Sequence, residues 1–351
     1  MSRGVVGALS TVHPWLGWAW YRYRDRGARQ EAVAALTEVV RRLPELPGLP
    51  PPSQWSVQRV VATDTSATVA VYADIAGVPV AVGRVVPAAR DDGPLRRNDA
   101  ALRALRSDPH LQPLHALLPA PLAFAEHDAW TCAVEGAVPG VPARAAARDP
   151  LSARRILPLV AGVAGTLSER TSRSTTVDDE VLGRWVTRPL EAVRRARPDA
   201  HGTDALEHRL RGHLLGRTCA TSWTHGDLWL GNVLLDEGAE RVRGLVDWDA
   251  ASDQGVHLVD LLHLLLTTRT AFERTHLGEA VREVLDGRPW AAEERQILAE
   301  VAASSANCLP EDVAVILMWL IHVEGVLGKN GRSVSDGTWF DRNIEPVLQW
   351  C

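Results

Sequence analysis

The feature that most constrains this chain is the stretch at positions 222–249, SWTHGDLWLGNVLLDEGAERVRGLVDWD. Two short apolar runs within it are typical of buried strands, and the acidic residues and glycine between them favour a turn, so the stretch predicts a β-hairpin. Pairing of the strands brings Asn232, which precedes the first, close to Asp247, which follows the second, with Asp227 beside them. Oxygen ligands of this kind suit Mg²⁺, which takes one or two carboxylates and completes its shell with waters and substrate phosphates. We therefore predict a magnesium site at this hairpin.

The same stretch resembles the catalytic loop and the metal-binding strand end of the aminoglycoside phosphotransferase family, within the wider choline kinase-like group. The shared pattern is His-Gly-Asp, four residues and Asn, followed by an apolar residue, Asp and a second acidic residue, here in HGDLWLGN and LVDWD. The resemblance implies that Asp227 accepts or orients the proton of an acceptor hydroxyl, and that Asn232 and Asp247 bind Mg²⁺. It also places His225 in the catalytic site, where this residue and Gly226 shape the loop.

A second match to the family lies downstream of the hairpin. Gly255 and Asp260 stand in the order of the family's Gly-x-x-x-x-Asp-Leu, whose Asp braces the catalytic loop from the following helix. Asp249, the second acidic residue of LVDWD, is expected to add a metal or water contact. A single Asp of this kind is usually a turn or capping residue, but several matches in order at the family's spacing are poorly explained in that way.

Length and composition exclude several classes of protein. At 351 residues, the chain is long enough for two lobes with their own cores. A net charge of −5 argues against nucleic-acid binding, and four cysteines without CxxC spacing are typical of reduced thiols. The first residues lack a signal-peptide pattern, and the longest apolar run, 313–321, is too short to span a bilayer. We therefore expect a cytoplasmic protein without a transmembrane segment.

Residue patterns upstream of the hairpin predict a small sheet with one helix. Strand patterns occupy 56–64, 67–74, 78–86 and 129–136, and a helix pattern occupies 96–109. This order matches the small lobe of a protein kinase-like α+β fold with a small antiparallel β-sheet lobe and a larger, mainly helical lobe. The predicted division is an N-terminal helical extension with a proline-rich linker at 1–52, the nucleotide-side lobe at 53–140 and the lobe with the catalytic loop, metal site and acceptor site at 141–351.

The small lobe departs from the family in its phosphate-binding residues. Lys329 is the only lysine of the chain, so the third strand has no lysine for the nucleotide phosphates. Arg84 stands about where that lysine is expected, after Gly83, whose missing side chain leaves room for a bulkier base. The helix glutamate that normally pairs with the lysine is also absent, and Asn98 or Asp99 is the nearest substitute. An exposed strand residue is as good an interpretation of Arg84 as a phosphate ligand.

Three further positions are candidate nucleotide contacts. The first hairpin turn has no glycine for close approach to phosphates, but Ser66 offers a hydroxyl there. The strand that ends at Glu135 and Gly136 leads into a Gly- and Pro-containing segment that resembles the family's hinge, where backbone groups meet the adenine.

Two other features have both a structural and a functional interpretation. The aromatic and arginine-rich segment 15–23, from Trp15 to Tyr23, is a candidate protein-docking site, although packing of an extension against a lobe is the better explanation. His257, His263 and His322 lie in apolar helical patterns and are interpreted as core histidines, since no metal-binding spacing joins them.

The resemblance implies an O-phosphotransferase that moves the γ-phosphoryl group of ATP or GTP to a hydroxyl of a small molecule, such as a sugar, an aminosugar or an aminoglycoside-like compound. Mg²⁺ and the nucleotide are the implied cofactor and co-substrate. One alternative is a pseudokinase that binds a protein partner, supported by the missing lysine, glutamate and glycines. Another is a kinase of peptide Ser or Thr in natural-product biosynthesis.

Overall fold

The computed structural model describes residues 26–62, 67–90, 92–256, 258–304, 309–329 and 337–350. The chain forms two compact units: unit 1 comprises 1–145 and 231–250, and unit 2 comprises 146–230 and 251–351. The predicted extension and lobe boundaries at 52 and 140 are not tested by this grouping and stay a prediction.

The strands of the described residues are short and belong to three sheets. They are β1 (Ser56–Ala62), β2 (Thr68–Ala73), β3 (Pro79–Pro87), β4 (Pro121–His127), β5 (Trp130–Gly136), β6 (Val141–Pro142), β7 (Arg173–Thr176), β8 (Thr218–Thr224), β9 (Val233–Leu235), β10 (Val242–Leu245) and β11 (Ser252–Val256).

Helices make up most of unit 2. The helices of the described residues are α1 (Arg26–Arg41), α2 (Gly93–Ser107), α3 (Ala143–Ala146), α4 (Pro150–Thr171), α5 (Asp179–Leu182), α6 (Arg188–Ala196), α7 (Thr203–Leu214), α8 (Val259–Glu273), α9 (Leu277–Leu285), α10 (Ala292–Ser304), α11 (Glu311–Lys329), α12 (Gly337–Asn343) and α13 (Glu345–Leu348). The 3-10 segments are Pro52–Gln54, Pro109–Leu117 and Leu230–Asn232, and Gly183–Thr187 forms a π-helical turn between α5 and α6.

Unit 1 is built on a five-stranded antiparallel sheet in the order β1-β2-β3-β5-β4. A second sheet, β10-β9-β6, contains the predicted hairpin. In the large sheet, Gly83 pairs with Val134 and Arg84 pairs with Ala133. Because side chains alternate along a strand, these neighbouring residues of β3 face opposite sides of the sheet.

Helix α1 covers the Gly83 side of the sheet. Ala32, Leu36 and Val40 recur at the spacing of one helical face and are buried in one core cluster with residues of β2, β3 and β5. The hydroxyl groups of Thr37 and Tyr72 lie 3.1 Å apart and form a hydrogen bond across this contact. The helix that the sequence assigns to an N-terminal extension therefore supplies one side of a core in unit 1.

Unit 2 combines a small sheet, β11-β8-β7, with the remaining helices. Helix α11 is apolar on all sides, and each residue at 313–320 exposes at most 1% of its surface, as expected for a central core helix. Within the described residues, no helix has both the length and the apolar character needed for a membrane crossing.

The predicted strands 56–64, 67–74, 78–86 and 129–136 and the predicted helix 96–109 correspond to β1, β2, β3, β5 and α2. Sequence patterns did not single out β4, β6, β7, β8 or β11. For β7 the reason is physical: its sequence is RSTT, its Thr175 hydroxyl bonds to that of Thr221 in β8, and a short polar strand has no apolar alternation to detect.

A substitution at Gly83 tests the contact between α1 and the sheet. A methyl group added here would lie 2.6 Å from the Leu36 Cδ2 atom, which is fully buried. Gly83→Ala should therefore lower the free energy of unfolding by about 1–3 kcal/mol through overpacking. In contrast, Gly162→Ala, on exposed α4 surface with open space around it, should be neutral or stabilising by about 0.5–1 kcal/mol. Urea unfolding measures both, and equal effects of the two substitutions would contradict the close packing.

Candidate active site

Two of the three predicted metal ligands of unit 1, Asn232 and Asp247, lie at neighbouring ends of the β9–β10 hairpin. The Val246 amide donates to the Asn232 carbonyl at 2.9 Å, so the backbone pairing continues just beyond the strands. Asn232 is buried, and Asp247 follows Val246 with a left-handed φ of 71°. This conformation is uncommon for residues other than glycine and persists only where surrounding contacts hold it.

The contacts that hold the turn come from α2 and from the turn itself. The Trp248 amide donates to the Asn98 side-chain oxygen at 2.9 Å, and the indole N–H donates to the Leu245 carbonyl at 2.9 Å. The Arg97 guanidinium donates to the backbone carbonyl of Asp249 at 2.9 Å. Because Trp248 is fully buried, these bonds position the acidic residues on either side of it.

Arg84 extends from the other face of the sheet, away from α1, and meets two carboxylates. Its guanidinium donates to Asp247 Oδ1 at 3.0 Å and to Glu135 Oε1 at 3.4 Å. The Arg84 side chain is 17% exposed, so its charge is largely removed from water and needs these partners. Burial lowers the pKa of Arg84, but the charges of Glu135, Asp247 and Asp249 outweigh that effect and raise it overall.

The carboxylate that takes the place of the family's helix glutamate is Glu135 of β5. The sequence analysis instead named Asn98 and Asp99 of α2 as the nearest substitutes. Asn98 Nδ2 donates to Glu135 Oε2 at 3.0 Å, so Asn98 positions Glu135 and also accepts from the Trp248 amide. Asp99 instead forms an ion pair with Arg103 on the helix surface, at 2.7 Å. Sequence reasoning missed this network because it depends on the pairing of β3 with β5, for which the residues carry no local signal.

The two predicted hinge residues have defined partners in unit 1. The Glu135 side chain lies in the network with Arg84, and the Gly136 amide donates to the Ala120 carbonyl at 2.8 Å. Their assignment as nucleotide contacts stays a prediction. Ser66, the aromatic segment 15–23 and His257 lie outside the described residues.

The loop that contains Asp227 belongs to unit 2 and is held by Asp260, in the first turn of α8. The amides of His225 and Gly226 donate to the two Asp260 carboxylate oxygens at 2.6 Å and 2.8 Å. Asp260 is buried, which raises its pKa, while His225 and the two amide bonds act in the opposite direction. This geometry is the one that a loop-bracing role requires.

Gly255, the other residue of the downstream match, permits the pairing of β11 with β8. A side chain at this position would collide with Thr224, the last residue of β8 before the loop. Gly226 has a φ of 77°, a left-handed conformation that glycine adopts without strain. Both glycines therefore allow a close approach or a sharp turn at the point where the chain reaches Asp227.

Asp227 follows this turn with its side chain 29% exposed. Its Oδ1 atom lies 3.8 Å from Nε2 of His263, a buried residue of α8. Asp227 belongs to unit 2, and Asn232, Asp247 and Asp249 belong to unit 1. The convergence of Asp227 with the metal ligands therefore stays a prediction.

A kinase-like α+β phosphotransferase is the class that these features define. Residues 50–294 match the model of the phosphotransferase enzyme family (APH), and the chain therefore belongs to that family. No curated protein matches the chain. The predicted family and the predicted phosphotransferase class are confirmed.

Two solved structures show the same fold. An aminoglycoside-3'-phosphotransferase of type VIII has 20% sequence identity and a TM-score of 0.51, with 85% of this chain and 100% of that chain covered. An ethanolamine kinase from Plasmodium vivax has 10% identity and a TM-score of 0.50, with 93% and 94% covered. At these identities the likeness concerns the fold alone, and it confirms the predicted kinase-like fold class.

Asp260→Asn tests the brace on the Asp227 loop. The asparagine side chain has one oxygen, which can accept a hydrogen bond from only one of the two loop N–H groups. Its NH₂ group then faces the other N–H group, so a buried donor loses its partner at a cost of about 1–3 kcal/mol. We expect a lower melting temperature and faster hydrogen exchange at His225 and Gly226. Asp253→Asn, at an exposed position of β11, is the matched control and should change stability by less than about 0.5 kcal/mol. Equal melting temperatures for the two variants would refute the brace.

Proposed function

We propose that this phosphotransferase moves the γ-phosphoryl group of ATP to a hydroxyl of a small molecule, with Asp227 as the base and Mg²⁺ held by Asn232 and Asp247. The observation that supports this most strongly is the contact between Arg84 and Asp247 in unit 1. It joins a candidate phosphate-binding cation to a candidate metal ligand, and a bound triphosphate needs both.

Arg84 suits the phosphate role by its chemistry. A guanidinium presents N–H groups in a planar fork that matches phosphate oxygens, whereas a lysine ammonium acts as a point charge. Glu135 and Asn98 fix the position of this fork, so the side chain is already ordered before a ligand arrives. In the proposed complex, Arg84 exchanges its bond to Asp247 for bonds to nucleotide phosphates and retains Glu135 as its partner.

The residues at the end of the hairpin fit Mg²⁺. Asn232, Asp247 and Asp249 offer one amide and two carboxylates, an oxygen-only set of the kind that Mg²⁺ prefers. When bound, Mg²⁺ would neutralise charge on the phosphate oxygens. Asp247, released from Arg84 by the nucleotide, supplies the negative charge that such an ion needs.

Asp227 is the proposed base because its carboxylate is partly exposed at the end of a loop held from behind by Asp260. A fixed carboxylate can orient an acceptor hydroxyl and accept its proton as the phosphoryl group is transferred. Sugars, aminosugars and aminoglycosides are the acceptors to test first, since one structure of the same fold is an aminoglycoside-3'-phosphotransferase.

The Arg84–Glu135 pair also separates this proposal from a pseudokinase that only binds a partner. The missing lysine and helix glutamate favour the pseudokinase, but Arg84 supplies the positive charge at about the lysine position and Glu135 supplies the negative charge from β5. Burying an ion pair gives little stability by itself, because the desolvation of two charges offsets their attraction. Its position beside Asp247, a candidate metal ligand, is better explained by nucleotide binding.

Arg84→Ala should weaken ATP binding about tenfold to a hundredfold, since bonds to charged groups contribute about 1.5–3 kcal/mol. Adenosine, which has no phosphates, should bind equally to the variant and the wild type. Arg103→Ala removes a surface arginine paired with Asp99 and should leave both affinities unchanged. Thermal-shift titrations with ATP, ADP, GTP and adenosine, with and without Mg²⁺, give the comparison. Wild-type protein that binds no nucleotide would favour the pseudokinase, and unchanged ATP affinity in Arg84→Ala would remove Arg84 from the site.

Asp227→Asn and Asp247→Ala should separate catalysis from metal binding. Asp227→Asn should reduce turnover by roughly 10²–10⁴-fold, the usual contribution of a general base, and keep the Mg²⁺-dependent stabilisation by ATP. Asp247→Ala should lose both turnover and that stabilisation. The measurements are phosphate transfer to an aminoglycoside panel and melting temperature at several Mg²⁺ concentrations. Near-wild-type turnover in Asp227→Asn, or unchanged Mg²⁺ dependence in Asp247→Ala, would contradict the assigned role.

A further inference from the structure

Unit 2 contains a cluster of two histidines beside Asp227 to which the proposed phosphoryl transfer assigns no role. His263 Nε2 of α8 lies 3.0 Å from His322 Nδ1 of α11 and 3.8 Å from Asp227 Oδ1. One ligand atom from each of the three residues lies within 4.8 Å of the other two. Asp227, His263 and His322 are far apart in the sequence, so no sequence motif predicts the cluster.

The surroundings of His263 assign the role of each ring nitrogen. Nδ1 lies 3.0 Å from the Leu228 carbonyl, which can only accept, so Nδ1 carries the proton. Burial lowers the pKa of His263 to about 4, and the ring is therefore neutral near pH 7. Nε2 then presents its lone pair toward His322 and Asp227. A metal-bound histidine commonly shows this arrangement, with the other ring N–H donated to a carbonyl that fixes the tautomer.

The distances suit a small transition-metal ion. A tetrahedral Zn²⁺ with ligands at about 2.0–2.1 Å separates neighbouring ligand atoms by about 3.3 Å. Two of the observed separations, 3.0 Å and 3.8 Å, lie on either side of this value, and the third is at most 4.8 Å, so side-chain rotations have to bring the ligand atoms around the ion. Three protein ligands, with Asp227 partly exposed, leave a fourth position for water.

We propose that Asp227, His263 and His322 form a binding site for Zn²⁺ or a similar borderline divalent ion. In the metal-free protein, the hydrogen between the rings belongs to His322 Nδ1, because His263 Nε2 is the acceptor. Metal binding requires the other tautomer of His322, with the hydrogen on Nε2 and the Nδ1 lone pair on the ion. This change moves one proton through solvent and leaves the charge of the ring unchanged. Imidazole nitrogens distinguish the site from the oxygen-only set proposed for Mg²⁺.

One consequence rests on the proposed function. If Asp227 is the base, an ion held by its carboxylate prevents it from accepting a proton, so Zn²⁺ should inhibit phosphoryl transfer by the wild type and not by a variant that lacks His322. Binding itself is measured without nucleotide or acceptor. Failure of the metal site and failure of the proposed function are therefore distinguishable.

The test is calorimetric titration of the full chain with Zn²⁺, in a Cys308→Ser, Cys351→Ser background that removes the two thiols outside the described residues. We expect one ion per chain and a higher melting temperature in its presence. His322→Gln and His263→Gln should each weaken binding by at least about tenfold, because loss of a group that merely orients a ligand already costs about 10–100-fold. His322 is only half-buried, so its variant is the one expected to fold normally.

Two control variants complete the experiment. His208→Gln removes an exposed histidine of α7, and Asp247→Ala removes a proposed Mg²⁺ ligand, so neither should change Zn²⁺ affinity. Absence of binding by the background protein would overturn the proposal. Unchanged Zn²⁺ affinity in both His322→Gln and His263→Gln would also overturn it. A loss of Zn²⁺ affinity in Asp247→Ala together with unchanged affinity in His322→Gln would overturn it as well, and would assign Zn²⁺ to the hairpin.

Discussion

The buried guanidinium of Arg84 is the constraint on which the candidate site of unit 1 depends. A charge removed from water must be paired, and here Glu135 and Asp247 share the task. Glu135 in turn engages Asn98, and Asn98 holds the Trp248 amide beside the left-handed Asp247. One cation on β3 therefore links the large sheet, α2 and the end of the β9–β10 hairpin, and the positions of these acidic residues are set together.

In unit 2 the corresponding constraint is the pairing of backbone N–H donors in a buried turn. The loop before Asp227 cannot continue the pairing of β8, so its first two amides need other acceptors. Asp260 supplies both oxygens from the first turn of α8. Burial disfavours the charged carboxylate and raises its pKa, whereas the hydrogen bonds that it accepts from the two amides act in the opposite direction. Rigidity at the loop thus comes from one side chain placed by a helix, and Gly255 lets the neighbouring strand approach closely enough.

Residue patterns predicted the β9–β10 hairpin, which depends on short-range geometry. The bracing role of Asp260 and the position of Arg84 were instead implied by the resemblance to the family's motifs. Strand pairing between β3 and β5 had to be known before Glu135 could be identified as the partner of Arg84. The contact of His263 with His322 joins α8 to α11, and helix packing of that kind leaves no spacing in the sequence. Polar strands such as β7 escaped detection because period-two alternation of apolar residues is the signal for a strand.

The presence of arginine instead of lysine at position 84 explains why its partner Glu135 comes from a strand and not from the helix. An ammonium group is a compact charge that one carboxylate can satisfy, whereas a guanidinium presents five N–H donors in a plane and needs acceptors along two edges. Glu135, on the strand next to β3, accepts from Nη2, and Asp247 accepts from Nη1. A carboxylate in place of Asn98 would add a third negative charge and lose the donor that fixes Glu135. Arg84, Glu135 and Asn98 therefore satisfy one another in a single hydrogen-bond network, which is consistent with a phosphate-binding role for Arg84.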